Sequence, residues 1–202
     1  MKTIIQDLHI DPSMVRCGLV TYGDIIQVEF GLRSYSSADE VIKAVSRVEQ
    51  LRGNTRTDLA IRKMMEMMAD DKRSGVPQIG IVITDGESDN TTATRVEAEA
   101  AHKAEITMFA VGIGRKVNDR ELASIASQRD FRFHVGSFDG LETIRKMLTA
   151  KACDVKSQND RTTEHSPPQN IEGRNTHIQV IRFLHVFLLQ NFKLVMAQML
   201  YI

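Results

Sequence analysis

The side chains best suited to making and breaking bonds are few and scattered. His9, His102, His134, His165, His177 and His185 share no motif. None stands in a recognisable nucleophile–base arrangement, so acid–base and nucleophilic chemistry have no assembled site. Cys17 and Cys153 are too few for a disulfide framework and show no paired Cys/His spacing for zinc. Gly112-Ile113-Gly114-Arg115-Lys116-Val117 resembles a phosphate-binding turn, but Val117 stands where a dinucleotide loop needs Gly or Ala. Turn glycines are the plain reading. Asn90-Thr91-Thr92 is an N-glycosylation acceptor, with meaning only for a secreted chain. What remains is oxygen chemistry on two polar stretches. One is Gly53-Asn54-Thr55-Arg56-Thr57-Asp58, and the other is Asp85-Gly86 after an apolar run. Thr55 and Thr57 suit helix capping. Asp58 suits a first helical turn. Asp85 suits a turn held by nearby amides.

The elements that must position these loops alternate along residues 15–150. Cys17 to Tyr22 and Ile25 to Phe30 read as two strands close enough to pair as a hairpin. Val41, Ile42, Val45, Val48 and Leu51 follow helical spacing after the cap residues at 36–40. A second helix starts after Asp58 and carries Ile61, Met64, Met65 and Met68, read as core filler. Ile79 to Thr84 is continuously apolar, which means a strand covered on both faces. Then come a helix from Thr94 to Glu105, a strand from Ile106 to Ile113, a helix capped by Asn118-Asp119, a short strand from Phe131 to Val135 and a closing helix from Gly140 to Ala152. Such alternation predicts an α/β fold, three layers around a mostly parallel open sheet. Ligands of such sheets sit at the carboxyl ends of the strands. That places the Thr55 loop and the loop after Thr84 where a site belongs.

Several stretches together resemble a von Willebrand factor type A domain, of the extracellular matrix branch. They are Val15 to Asp24, the G-x-T-x-T-like Gly53-Asn54-Thr55-Arg56-Thr57, Val82-Ile83-Thr84-Asp85-Gly86, and Phe109-Ala110-Val111-Gly112-Ile113-Gly114. The resemblance covers residues 1–153. It implies a non-enzymatic protein-binding or adhesion module, with matrix proteins such as collagens as partners and an extracellular location. It also implies a metal-ion-dependent adhesion site for Mg²⁺ or Ca²⁺, in which Thr55 and Asp85 would be ligands. The third ligand loop, D-x-S-x-S after the family's first strand, has no counterpart here; Asp11-Pro12-Ser13-Met14 lies before the second strand. The expected sheet therefore lacks its first central strand, and the expected metal site is partial and weak, with no cofactor required. The missing strand would leave two unpaired edges and remove on the order of 5–10 kcal/mol of burial, making an isolated monomer marginal. By the same resemblance Cys153 is a disulfide candidate, and Cys17 reads as a buried apolar residue.

Beyond residue 153 the composition changes. Residues 154–177 are polar and read as a linker. Residues 178–202 are apolar but carry Arg182, His185, Gln190, Asn191 and Lys193. Four readings stand for this tail: an extension without a role, an interfacial helix, a membrane span, or a segment docked onto the incomplete sheet. An alternative function follows from the second and third, a degenerate structural or regulatory chain associated with a membrane through residues 178–202. Lys plus Arg equals Asp plus Glu at 26 each, so no net field draws nucleic acid. The N-terminus shows no secretory signal pattern.

Overall fold

In the computed structural model, residues 5, 8, 10–49, 51, 53–144, 146–147, 150–151 and 197–201 are described. The apolar run at 79–84 forms the centre of strand β3, Gln78–Gly86. Its odd-numbered residues Ile79, Ile81 and Ile83 join one core, and Val82 joins the other. A run without alternation is thus buried on both faces. The other strands are β1 (Gly18–Tyr22), β2 (Ile26–Phe30), β4 (Ile106–Lys116), β5 (Arg132–Val135) and β6 (Ala197–Tyr201). The helices are α1 (Ala38–Val45), α2 (Thr57–Asp70), α3 (Thr91–Lys103) and α4 (Asp119–Ile125). Residues 141–144 begin a further helical stretch.

The strand order is β2-β1-β6-β3-β4-β5. β3, β4 and β5 pair in parallel, with Ile81 opposite Phe109 and Val111 opposite Phe133. β1 and β2 pair antiparallel. β6 runs antiparallel to both β1 and β3, so β1 points the same way as the parallel trio. Four of the six strands share one direction, as the sequence pattern led us to expect. The centre of the sheet is where the sequence led us to expect a gap, and β6 lies in it. β1 and β3 therefore do not present the two bare edges anticipated above.

Helices cover both faces. Ile5, Leu8, Val41, Val45, Leu141 and Ile144 pack on the side of Leu19, Ile81 and Phe109. α2, α3 and α4 cover the other side, with Ile61, Met64, Ala98 and Leu122 against Val20, Val82 and Met108. Met64 and Met68 are fully buried, as core filler should be. Gly80 has a reason to lack a side chain. A Cβ there would meet the Met64 sulfur at 2.6 Å and the Met108 sulfur at 2.7 Å.

Caps set most helix starts. Ser37 accepts from the Glu40 amide at α1, Asn90 from the Ala93 amide at α3, and Asn118 from the Arg120 and Glu121 amides at α4. α3 starts at Thr91, earlier than the apolar pattern implied, because Asn90 supplies the cap. α2 is the exception: Arg56 is its N-cap residue and makes no side-chain capping bond. The expectation that Thr55 or Thr57 caps this helix is corrected, since Thr57 is already helical and its side chain is turned into the core at 1% exposure.

Of the tail, residues 197–201 are a strand; residues 154–177 and 178–196 lie outside the described residues, as does Cys153. Among the described residues no helix is long and apolar enough to cross a membrane. The docked reading of the tail is the one that residues 197–201 follow.

Candidate functional site

The carboxyl ends of β1 and β3 flank the slot that β6 fills, and three loops meet there. The first follows β1. Asp24 accepts a hydrogen bond from the Asn54 amide at 2.8 Å, which ties it to the second loop. Gly53 permits that approach. Its φ is +101°, and a Cβ there would lie 1.9 Å from the Asp24 carboxylate. The third loop follows β3 and is tied to the second by two bonds. The Thr55 amide donates to the Asp89 carboxylate at 3.1 Å, and the Asp89 amide donates to the Thr55 carbonyl at 3.1 Å. Thr55 and the residues after Asp85 thus share one rim.

Beneath the rim lies a polar layer that the apolar pattern did not show. The Tyr22 side chain is 2% exposed, and its hydroxyl donates to the Ile83 carbonyl at 3.4 Å. Burial pushes its pKa up, and hydrogen bonds with Thr57 and Thr84 pull the other way. Glu121, at the start of α4, is also buried. It accepts from the Ser88 amide at 3.0 Å and from the Ser88 hydroxyl, and Thr94 donates to Ser88 at 2.9 Å. This fastens the loop after β3 to both α3 and α4. Asn118 adds a bond to Glu87 at 2.7 Å. Asp58 is clamped by two guanidinium nitrogens of Arg56, Nε at 3.1 Å and Nη2 at 3.0 Å. That pairing holds its carboxyl below the ordinary carboxylate range, with help from the Leu59 amide and against the effect of burial.

Asp85 differs from these carboxylates. It is half-buried, and no described side chain donates a hydrogen bond to it. Partial desolvation raises its pKa, while its own amide and the charge of Lys116 oppose the rise. A desolvated carboxylate without a donor partner favours a nearby cation. The neighbouring polar side chains of the rim each have a protein partner: Asp24 with Asn54, Asp89 with Thr55, Ser88 with Glu121. Among the described residues, no three His, Cys, Asp or Glu side chains gather as a metal-holding group. Hard oxygens suit Mg²⁺ or Ca²⁺, and Thr55 and Asp85 offer two donor side chains of the six or more oxygens such ions take.

The remaining sequence candidates fall elsewhere. Asn90 is exposed on the rim side of α3, with its side-chain oxygen engaged as the helix cap. Cys17 is buried, and burial pushes its thiol up to about 12. Asp11 bonds to Ser13 before β1, at the end of the sheet opposite the rim. Asp24, Asp89 and Glu121 were not singled out from the sequence. Their partners lie 30 to 34 positions away, so no local spacing signals them.

Fold and rim together define an α/β domain whose loops meet at the carboxyl edge of its sheet. The chain belongs to the von Willebrand factor type A domain family, whose model matches residues 1–147. It is 33% identical over 172 residues to the transmembrane cell adhesion receptor mua-3 of Caenorhabditis elegans, covering 81% of this chain and 4% of that protein. It is 31% identical over 156 residues to the human collagen alpha-1(XXI) chain, covering 76% of this chain and 16% of the collagen. The match thus spans a small part of each relative's length. Among solved structures, proximal thread matrix protein 1 from the mussel byssus, with zinc in its metal-ion-dependent adhesion motif, superposes with a TM-score of 0.70 at 27% identity, over 76% of this chain and 39% of that one.

Proposed function

We propose that this chain is a non-enzymatic, protein-binding adhesion module of the extracellular matrix type, with a partial divalent-ion site. The observation that carries the reading is Asp85: a half-buried carboxylate with no side-chain donor, on the rim that Thr55 shares. Thr55 and Asp85 would hold Mg²⁺ or Ca²⁺ weakly through one hydroxyl and one carboxylate. A bound ion would supply a positive centre for a partner's carboxylate. The chain's own residues do the rest. Asp24 and Asp89 pin the Thr55 loop, and Glu121 pins the loop after Asp85. Binding at such a rim rests mainly on the loop surface rather than on the ion, so no cofactor is required.

The family and the naming of its relatives support matrix or adhesion proteins as partners, with collagens the first to test. An extracellular setting also gives a role to Asn90 as a glycosylation site and to Cys153 as a disulfide partner. Surface plasmon resonance against collagen, with and without EDTA, tests the reading. Binding that survives EDTA is expected. Strong binding abolished by EDTA would show a complete metal site instead, and no binding to any matrix protein would remove the adhesive reading.

A further inference from the structure

The slot between β1 and β3 has properties of its own. Both walls are central strands whose main-chain groups on the slot side pair with β6, and both carry apolar residues toward both cores. β6 meets them in a matched register. Leu200 stands opposite Leu19 and Ile81, and Met199 stands opposite Val20 and Val82. Leu19 and Ile81 belong to one core, Val20 and Val82 to the other. An occupant must therefore be extended and apolar on both faces. The stretch Leu194 to Ile202, Leu-Val-Met-Ala-Gln-Met-Leu-Tyr-Ile, has one polar residue in nine. β6 is short, five residues against nine in β3 and eleven in β4. It also runs against both neighbours, whereas every other internal strand of this sheet runs with the parallel set. In sequence, 45 residues (152–196) separate it from residue 151. Its place is thus fixed by pairing and apolar fit, not by a short connection.

We propose that this slot is a strand-accepting site. It takes one extended, two-faced apolar strand by main-chain pairing on both sides. The chain's own residues 197–201 fill it in cis, and the same segment offered as a separate peptide fills it in trans. The chemistry is strand addition, with ladder bonds giving affinity and the alternating cores giving register. At an internal position the added strand bonds on two sides, where an edge addition bonds on one. This inference goes beyond the proposed adhesive function and does not depend on the ion.

Two experiments on the full-length chain test it. The first is an Ile81→Cys/Leu200→Cys variant carrying Cys153→Ser, oxidised at low protein concentration. Antiparallel partners have Cα atoms about 4.5–5.5 Å apart, within reach of a disulfide. A cross-link within one chain is expected. A cross-linked dimer, meaning that two copies exchange strands, would overturn filling in cis; so would no cross-link. The second is Met199→Pro, which removes a ladder donor and disables the tail's strand. A synthetic peptide of residues 194–202 at millimolar concentration, needed to match a tethered strand, should raise the melting temperature of this variant by about 5 °C over a scrambled peptide. Equal effects of the two peptides would overturn the proposal, as would a variant as stable as the parent. Should the variant not fold alone, the peptide present during refolding should restore soluble protein, and failure to do so counts against the slot.

Discussion

β3, β4 and β5 are built from neighbours: each strand hands the chain to a helix that returns it beside the last strand, in parallel. β6 enters the same sheet from the far end of the chain and runs the other way. Both regions are paired strands of one sheet, but they reach that state by different routes. In the parallel trio, local alternation of strand and helix fixes order and direction together. At the slot, only pairing and apolar fit act, and either direction satisfies the main-chain bonds. The rim that holds Thr55 and Asp85 lies on the seam. Thr55 belongs to the loop that leads into α2, whereas Asp85 is the penultimate residue of the first strand of the trio.

The largest effects should come from truncating the core on each side of that seam. Phe109 is fully buried in β4 and stacks on Phe131 with ring centroids 4.3 Å apart. Phe109→Ala should cost about 3–5 kcal/mol by urea unfolding. Leu19, fully buried in β1 beside the slot, should cost about 2–5 kcal/mol as Leu19→Ala, comparable to Ile81→Ala across the slot. A cost for Leu19 well below 1 kcal/mol would mean that its side of the sheet is open, and the comparison would break there.

A smaller effect is expected at the clamp under the rim. Glu121→Ala leaves the Ser88 amide and hydroxyl without their acceptor, at a cost of about 1–3 kcal/mol. Hydrogen exchange at Ser88 should quicken while the amides of β4 hold. Exchange that quickens everywhere would make Glu121 a general core residue rather than a loop clamp.

The smallest effect is electrostatic and tells Asp85 from the paired carboxylates. Its folded pKa is raised above the ordinary Asp value of 3.8, chiefly by burial. A raised carboxylate favours the fold in its protonated form. Its contribution is fully present below the unfolded pKa and is lost as pH rises through the folded pKa. Asp85→Asn should therefore raise the melting temperature at pH 7, by no more than about 3 °C, and the gain should vanish below about pH 4. A loss of stability at pH 7 would show that Asp85 is held by a partner.

How far the sequence foretold this structure follows the same divide. Ile79 to Thr84 announced a doubly covered strand because an unbroken apolar run has no solvent face to spare. Asn118 announced α4 because its cap bonds are local. Thr55 and Thr57 misled as caps because tertiary burial drew Thr57 inward, and Arg56 took the cap position without a side-chain bond. Asp24, Asp89 and Glu121 gave no signal, since each acts on a residue more than two dozen positions away. The tail was legible as apolar but not as a strand. Five residues cannot display a period, and the partners that make Ala197–Tyr201 a strand begin at Gly18 and Gly80.

Hydrogen exchange at the amides of residues 197–201, read by NMR in the full-length chain, tests the account most directly. Two-sided pairing predicts protection equal to that of the amides of β1 and β3 and loss of all three in one cooperative opening. Amides of 197–201 that exchange at the rate of an unfolded peptide, beside protected β1 and β3, would contradict it.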